Sequence, residues 1–190
     1  MKDTYHRDKT FDKLNYAGKI LSGQEFESCT FINCDFSESN LSGNDFVDCR
    51  FEGCNLSMVR VDQTGLKNVA FHNCKLMGVD FSACNDFLLA VSFHHCILDY
   101  ISFFRKKIRK TTFHGCSIKE ANFTQTDLSG SSLTDCEMSQ TVFQQTILEK
   151  ADFRSASNFS IDPEMNKIKG AKFSSSGLIG LLDKYDLVVD

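Results

Sequence analysis

The chain contains no tryptophan and only one proline, Pro163, among its 190 residues. With so little proline, nearly every backbone N–H is free to enter a hydrogen-bonded ladder. No stretch approaches the roughly 18 apolar residues of a membrane-spanning helix. The opening, Met1-Lys2-Asp3-Thr4-Tyr5-His6-Arg7-Asp8, holds no apolar run that could serve as a signal peptide. A soluble, cytoplasmic protein with no membrane association is therefore expected. Nucleophile-elbow, phosphate-loop and dinucleotide glycine motifs are all missing, so neither an enzyme nor a cofactor is expected. Charge is modest too, with a net of −4.

Nine cysteines are present, yet none forms a Cys-x-x-Cys pair, and the tightest spacing is five. That number five organises the chain. From Phe26 a large apolar residue returns every fifth position, through Phe31, Phe36, Leu41, Phe46 and Phe51, as far as Phe81. The series resumes at Phe93 and runs to Phe153. Neither a helix nor a half-buried strand has this period, so the five residues must be a structural unit of their own. Every cysteine falls two positions before a repeat centre or its substitute. For unrelated positions that coincidence would arise about once in 400,000 trials, so the repeat is real. The thiols read as small buried hydrophobes filling an inward slot. Elsewhere that slot holds small or β-branched residues such as Val59, Thr64, Val79 and Ala121, while Asp or Asn often precedes the centre.

The pattern in Ala121-Asn122-Phe123-Thr124-Gln125 and Ala151-Asp152-Phe153-Arg154-Ser155 resembles the pentapeptide-repeat family. The resemblance implies an all-β fold, a right-handed quadrilateral parallel β-helix with four repeats, or 20 residues, per coil. Phe31, Phe51, Phe71, Phe93, Phe113 and Phe153 then form one interior column, continued by Leu133 and Phe173. Cys34, Cys54, Cys74, Cys96, Cys116 and Cys136 form a second.

Three segments are expected: residues 1–25 as an N-terminal cap with an imperfect first coil, 26–173 as the solenoid, and 174–190 as a C-terminal segment. Within the solenoid, 82–92 is two residues too long, and Phe87 is expected to serve there as a displaced centre between two bulges. Ser174 to Tyr185 reads as a serine-capped amphipathic helix, followed by an extended tail at Leu187-Val188-Val189. Related quinolone-resistance proteins pair through a C-terminal helix, which makes Leu178, Ile179, Leu181, Leu182 and Tyr185 candidates for a homodimer interface.

Other candidates lie on the surface. Phe87, Leu88, Leu89, Tyr100 and Phe104 could form an exposed apolar patch of the sort that marks partner contacts. His72, His94 and His114 should stack outside with His95 nearby; stacked parallel imidazoles converge poorly on one ion, and no metal site is expected. Residues 20–66 carry eight acids against Arg50 and Arg60, and 111–152 carry six against Lys119 and Lys150. Between them lies a basic collar, Arg105-Lys106-Lys107-Ile108-Arg109-Lys110. Lys106 falls in an inward slot, so either its coil bulges or its amine reaches out.

The expected function is a non-enzymatic, protein-binding module. The resemblance to quinolone-resistance members implies a DNA mimic that binds a type II topoisomerase (DNA gyrase) or another DNA-binding protein, with no direct nucleic-acid contact. The collar and weak net charge depart from a uniformly acidic rod. A structural or scaffolding role with a different protein partner is the alternative.

Overall fold

A computed structural model describes residues 4–188; Met1 to Asp3, and Val189 of the expected tail, lie outside the described residues. Eleven short strands follow one another: β1 (Tyr5–Arg7), β2 (Thr10–Asp12), β3 (Glu25–Glu27), β4 (Thr30–Ile32), β5 (Asp45–Val47), β6 (Arg50–Glu52), β7 (Gly65–Lys67), β8 (Val69–His72), β9 (Val91–His94), β10 (Thr112–His114) and β11 (Ser132–Thr134). All pairing is parallel. One face stacks β1-β3-β5-β7, and the adjacent face stacks β2-β4-β6-β8-β9-β10-β11. The register is 20 residues, as in Phe31 opposite Phe51, and becomes 22 where Phe71 meets Phe93. Single parallel bridges such as Asp35–Asn55 and Ser102–Asn122 build the remaining two faces. The chain thus winds as a right-handed, four-sided β-helix.

Five-residue sides arise because each unit ends in a tight corner. The second residue after a centre adopts a left-handed backbone, at asparagines such as Asn33 and Asn73 and at glycines such as Gly78. At Gly78 a Cβ would also meet Met58 Sδ at 2.4 Å, so glycine serves both the turn and the close approach.

Large residues turn inward and pile up. The Phe31–Phe51, Phe51–Phe71, Phe71–Phe93 and Phe93–Phe113 ring centroids lie 4.6, 5.1, 5.2 and 5.2 Å apart, with near-parallel planes. Leu133 interrupts the column, which resumes at Phe153 and Phe173, 5.4 Å apart. All nine cysteines are free and buried. Several thiols donate to the carbonyl of a centre in the coil below, as Cys54 does to Phe31 at 3.3 Å. Threonines in equivalent slots do the same, Thr64 donating to Leu41 at 2.9 Å and Thr126 to Phe103 at 2.7 Å. The slot therefore selects a short side chain that packs and also offers a donor. Burial pushes the Cys49 thiol up to about 11 and that of Cys84 to about 12.

The residue before a centre often closes the next turn. Asp35 accepts from the Ser37 N–H at 2.9 Å and the Ser37 hydroxyl at 2.7 Å, and Asp127 accepts from Ser129 in the same way. Hydrogen bonds from the Ser37 hydroxyl and N–H hold Asp35 below the usual carboxylate range. Burial of Glu137 favours its protonated form, but the Ser139 hydroxyl, the Asn158 amide and Lys119 outweigh it and hold the carboxyl at about 2.

The two ends differ. Residues 4–24 form a regular coil whose strands β1 and β2 have a partner on one side only. Its mouth opens on a cavity of about 520 Å³ lined by residues including Phe11, Tyr16, Leu21, Phe26 and Phe31. The far end is covered. Phe159 is buried against Phe153 and Phe173, and the Ile161 N–H donates to the Gly180 carbonyl.

The expected C-terminal α-helix is instead two 3-10 turns, Ser176–Leu181 and Asp183–Tyr185. Their bonds run from residue i+3 to i, as from Leu182 to Ile179 and from Tyr185 to Leu182. The cause is Phe159. A Cβ on Gly180 would lie 2.3 Å from its carbonyl oxygen, and one on Gly177 would lie 3.2 Å from its ring. Two glycines bring the turn close to Phe159 but weaken an α-helix, and left-handed Asp186 stops it. A serine cap is present, the Gly177 N–H donating to the Ser174 hydroxyl at 3.0 Å.

Two outcomes test this architecture. Phe71→Ala, in mid-column, is expected to cost about 3–5 kcal/mol in denaturant unfolding, because coils locked by their ladders cannot collapse into the cavity. Folding also depresses the Asp35 and Glu137 pKa values below their unfolded ones. Their stabilisation is thus present above about pH 4.5 and lost as pH falls toward 2. A thermal-unfolding series should show a falling Tm across that window, with a shallower fall in Glu137→Gln.

Candidate functional site

The 82–92 segment is where the surface departs from the repeat. After a 3-10 turn at Phe81–Ala83, the chain leaves the coil at Cys84 and returns at Val91. The Asn85 N–H donates to Thr64, and the Ala90 N–H to Leu66, so this loop crosses the face just above β7. Phe87 is not a displaced centre, because it stands 66% exposed with the Lys67 ammonium 5.6 Å from its ring. Leu88 is equally exposed and left-handed. Leu89 is the loop residue that packs on the core. The two additional residues force this exchange: a five-residue side has one inward slot for a large residue, and Leu89 occupies it.

Lys106 points inward. Its side chain is 6% exposed, and its amine donates to the Cys84 carbonyl and to Asp86 Oδ1, both at 2.6 Å. The slots at equivalent levels hold Asn44, Thr64, Thr126, Thr146 and Asn166, each donating to a carbonyl 23 residues back. Lys106 is the long donor of this column. The departing loop leaves the Cys84 carbonyl within its reach, and Asp86 supplies the counter-charge at the solvent edge.

The remaining candidates separate. Phe104 is half-buried with the Arg105 guanidinium 4.7 Å above its ring, at the corner leading into the loop's face. Tyr100 is exposed in the turn after Leu98, one corner earlier, so the patch is not a single surface. At the C-terminal end Leu178, Ile179, Leu182 and Tyr185 are exposed, whereas Leu181 turns onto the core.

His72 and His94 stack with centroids 4.6 Å apart, and His95 meets His114 edge-on at 5.1 Å. Burial, helped by Arg50 and His94, lowers the His72 pKa. Among the described residues no three His, Cys, Asp or Glu side chains gather as a metal site would require, and no helix is long and apolar enough to cross a membrane.

The collar is partly neutralised, by Asp86 on Lys106 and by Asp127, which accepts from Arg109 at 2.6 Å. Sequence reasoning marked Phe87 and Leu88 but missed Asp86 and the role of Lys106. The polar run Asn44, Thr64, Thr126, Thr146 and Asn166 was the available signal for the latter.

Comparison with known proteins agrees with this geometry. A family model described as "Pentapeptide repeat region" matches residues 24–103, and one for "Pentapeptide repeats (8 copies)" matches 107–135 and 121–157. The chain belongs to the pentapeptide-repeat family. Among solved structures it is similar to a trypsin-treated variant of QnrB1, a plasmid-mediated fluoroquinolone resistance protein. The TM-score is 0.66 at 20% identity, covering 95% of this chain and all of that one. It is also similar to HetL of the cyanobacterium Nostoc sp. strain PCC 7120, a protein involved in heterocyst differentiation regulation. There the TM-score is 0.69 at 13% identity, covering 92% and 88% of the two chains. At these identities the likeness concerns the fold. No curated protein matches the sequence.

Lys106→Met keeps the stem but orphans the buried Cys84 carbonyl. It is expected to cost about 1–3 kcal/mol, with amide hydrogen exchange accelerated at 85–90 and unchanged near Phe31.

Proposed function

We propose that this protein is a non-enzymatic, protein-binding rod whose partner is a DNA-binding protein, with DNA gyrase the best-defined candidate. The observation that carries the reading is the filled interior. From Phe31 to Phe153 the column of aromatic and aliphatic centres is buried, and even the inward lysine is spent on a loop. Recognition therefore falls to the outer faces, whose ladders of short polar and charged side chains suit an extended partner surface better than a small substrate. Similarity of fold to QnrB1, a fluoroquinolone resistance protein, favours a topoisomerase among such partners. Acidic ladders such as Glu25–Asp45 supply negative charge along part of one face.

The test is a gyrase supercoiling assay with added protein, together with a direct binding measurement. Inhibition or quinolone protection at micromolar protein, weakened at least tenfold by Glu25→Lys with Asp48→Lys, is expected. No binding and no effect at micromolar protein would reject gyrase as the partner.

A further inference from the structure

The face that carries β1, β3, β5 and β7 is split by the 85–90 loop into halves of opposite sign. Below the loop, the outward positions of these strands and their corners hold Asp8, Glu25, Glu27, Asp45 and Asp48 against Arg7 and Lys67. Arg7 and Lys67 are taken up by neighbouring carboxylates, Arg7 by Glu27 at 3.5 Å and Lys67 by Asp45 at 2.8 Å. Above the loop the same face continues as a bridged ladder, Lys107–Asp127–Ile147–Lys167. Arg109, Lys110, Glu149, Lys150 and Lys169 flank it, giving six bases against two acids. Among the described residues, Lys107, Lys110, Lys150, Lys167 and Lys169 make no ion pair; only Arg109 does, with Asp127. Lys110 and Lys150 lie over Gly130 and Gly170, with nothing bulky beneath them to hold them back. Phe87 and Leu88 project between the halves, from a loop tied down by Lys106.

We propose that this face is a homodimer interface. A second copy of the chain lies side by side with the first and antiparallel to it, about a two-fold axis that passes through the 85–90 loop at right angles to the rod. Charge order selects this partner and this orientation. A two-fold reverses the sequence of halves, so the unpaired lysines of each copy face the acidic half of the other. A parallel arrangement would set acid on acid and base on base. Wholly basic or wholly acidic partners would match one half and be repelled by the other. The same axis brings Phe87 and Leu88 of both copies together at the centre, ringed by charge, which is the usual layout of a specific contact. Such a patch is isologous and closes on itself without forming fibres. Flat sides make the approach feasible, since each coil lies directly over the last.

Sedimentation equilibrium of the full chain tests the proposal. A reversible dimer is expected whose dissociation constant rises about tenfold or more when salt is raised from about 0.05 to 0.5 M. Phe87→Ser with Leu88→Ser should weaken it by a similar factor. Lys110→Glu with Lys150→Glu makes both halves acidic, and Glu25→Lys with Asp48→Lys makes both basic. Each doubly substituted chain should be monomeric alone, and the two mixed should form a one-to-one heterodimer, which misfolded variants would not do. The proposal is overturned by a chain that stays monomeric up to about millimolar concentration, or by charge variants that fail to pair when mixed. It is also overturned by a dimer that Leu178→Ser with Leu182→Ser dissolves and Phe87→Ser leaves intact, or by a monomer whose basic half binds a DNA duplex.

Discussion

Each coil of this protein is held by the one before it, through backbone hydrogen bonds between residues 20 apart. Asn33 donates to Glu52, Gly53 to His72 and Asn73 to His94. Where the interval stretches to 22, only the intervening loop changes, and the ladder resumes in step. Side chains are subordinate to this spacing. A slot that repeats at the inter-strand distance admits only residues that stack on their own kind, which explains both the near-parallel phenyl rings and the run of thiols. The same constraint makes a buried group useful when it can bond vertically, as Cys54, Thr64 and Thr126 do.

A tube filled in this way has no room for chemistry inside, so its individuality lies in what each side presents. Here the presentation is uneven. One side passes from acidic to basic across a loop, and that loop exists because two extra residues were accommodated at a single level. Lys106 connects interior to surface. Its amine satisfies a carbonyl that the loop would otherwise leave bare and, through Asp86, fixes the direction in which Phe87 and Leu88 emerge.

The repeat, the inward slots and the phenyl and thiol columns were legible in the sequence, because period and stacking are the same fact seen in one and three dimensions. The loop was legible only as a discrepancy of two. Nothing in Phe87 itself says that Leu89 would take the inward place, since both are large and apolar and the choice depends on how the chain leaves Cys84. The orientation of Lys106 had the same origin, a carbonyl exposed by a neighbouring coil 22 residues earlier. At the C-terminus the amphipathic pattern suggested an α-helix, but Phe159, distant in sequence from Gly180, set the tighter winding.

The unequal ends give the rod a direction of growth. At the sealed end a further turn of chain would have to evict Phe159 and break the bond from Ile161 to Gly180 before it found a strand to join. At the open end β1 and β2 already offer a free edge over an aromatic floor, so twenty duplicated residues would seat there with nothing to displace. Lengthening of such a molecule is easiest from its beginning.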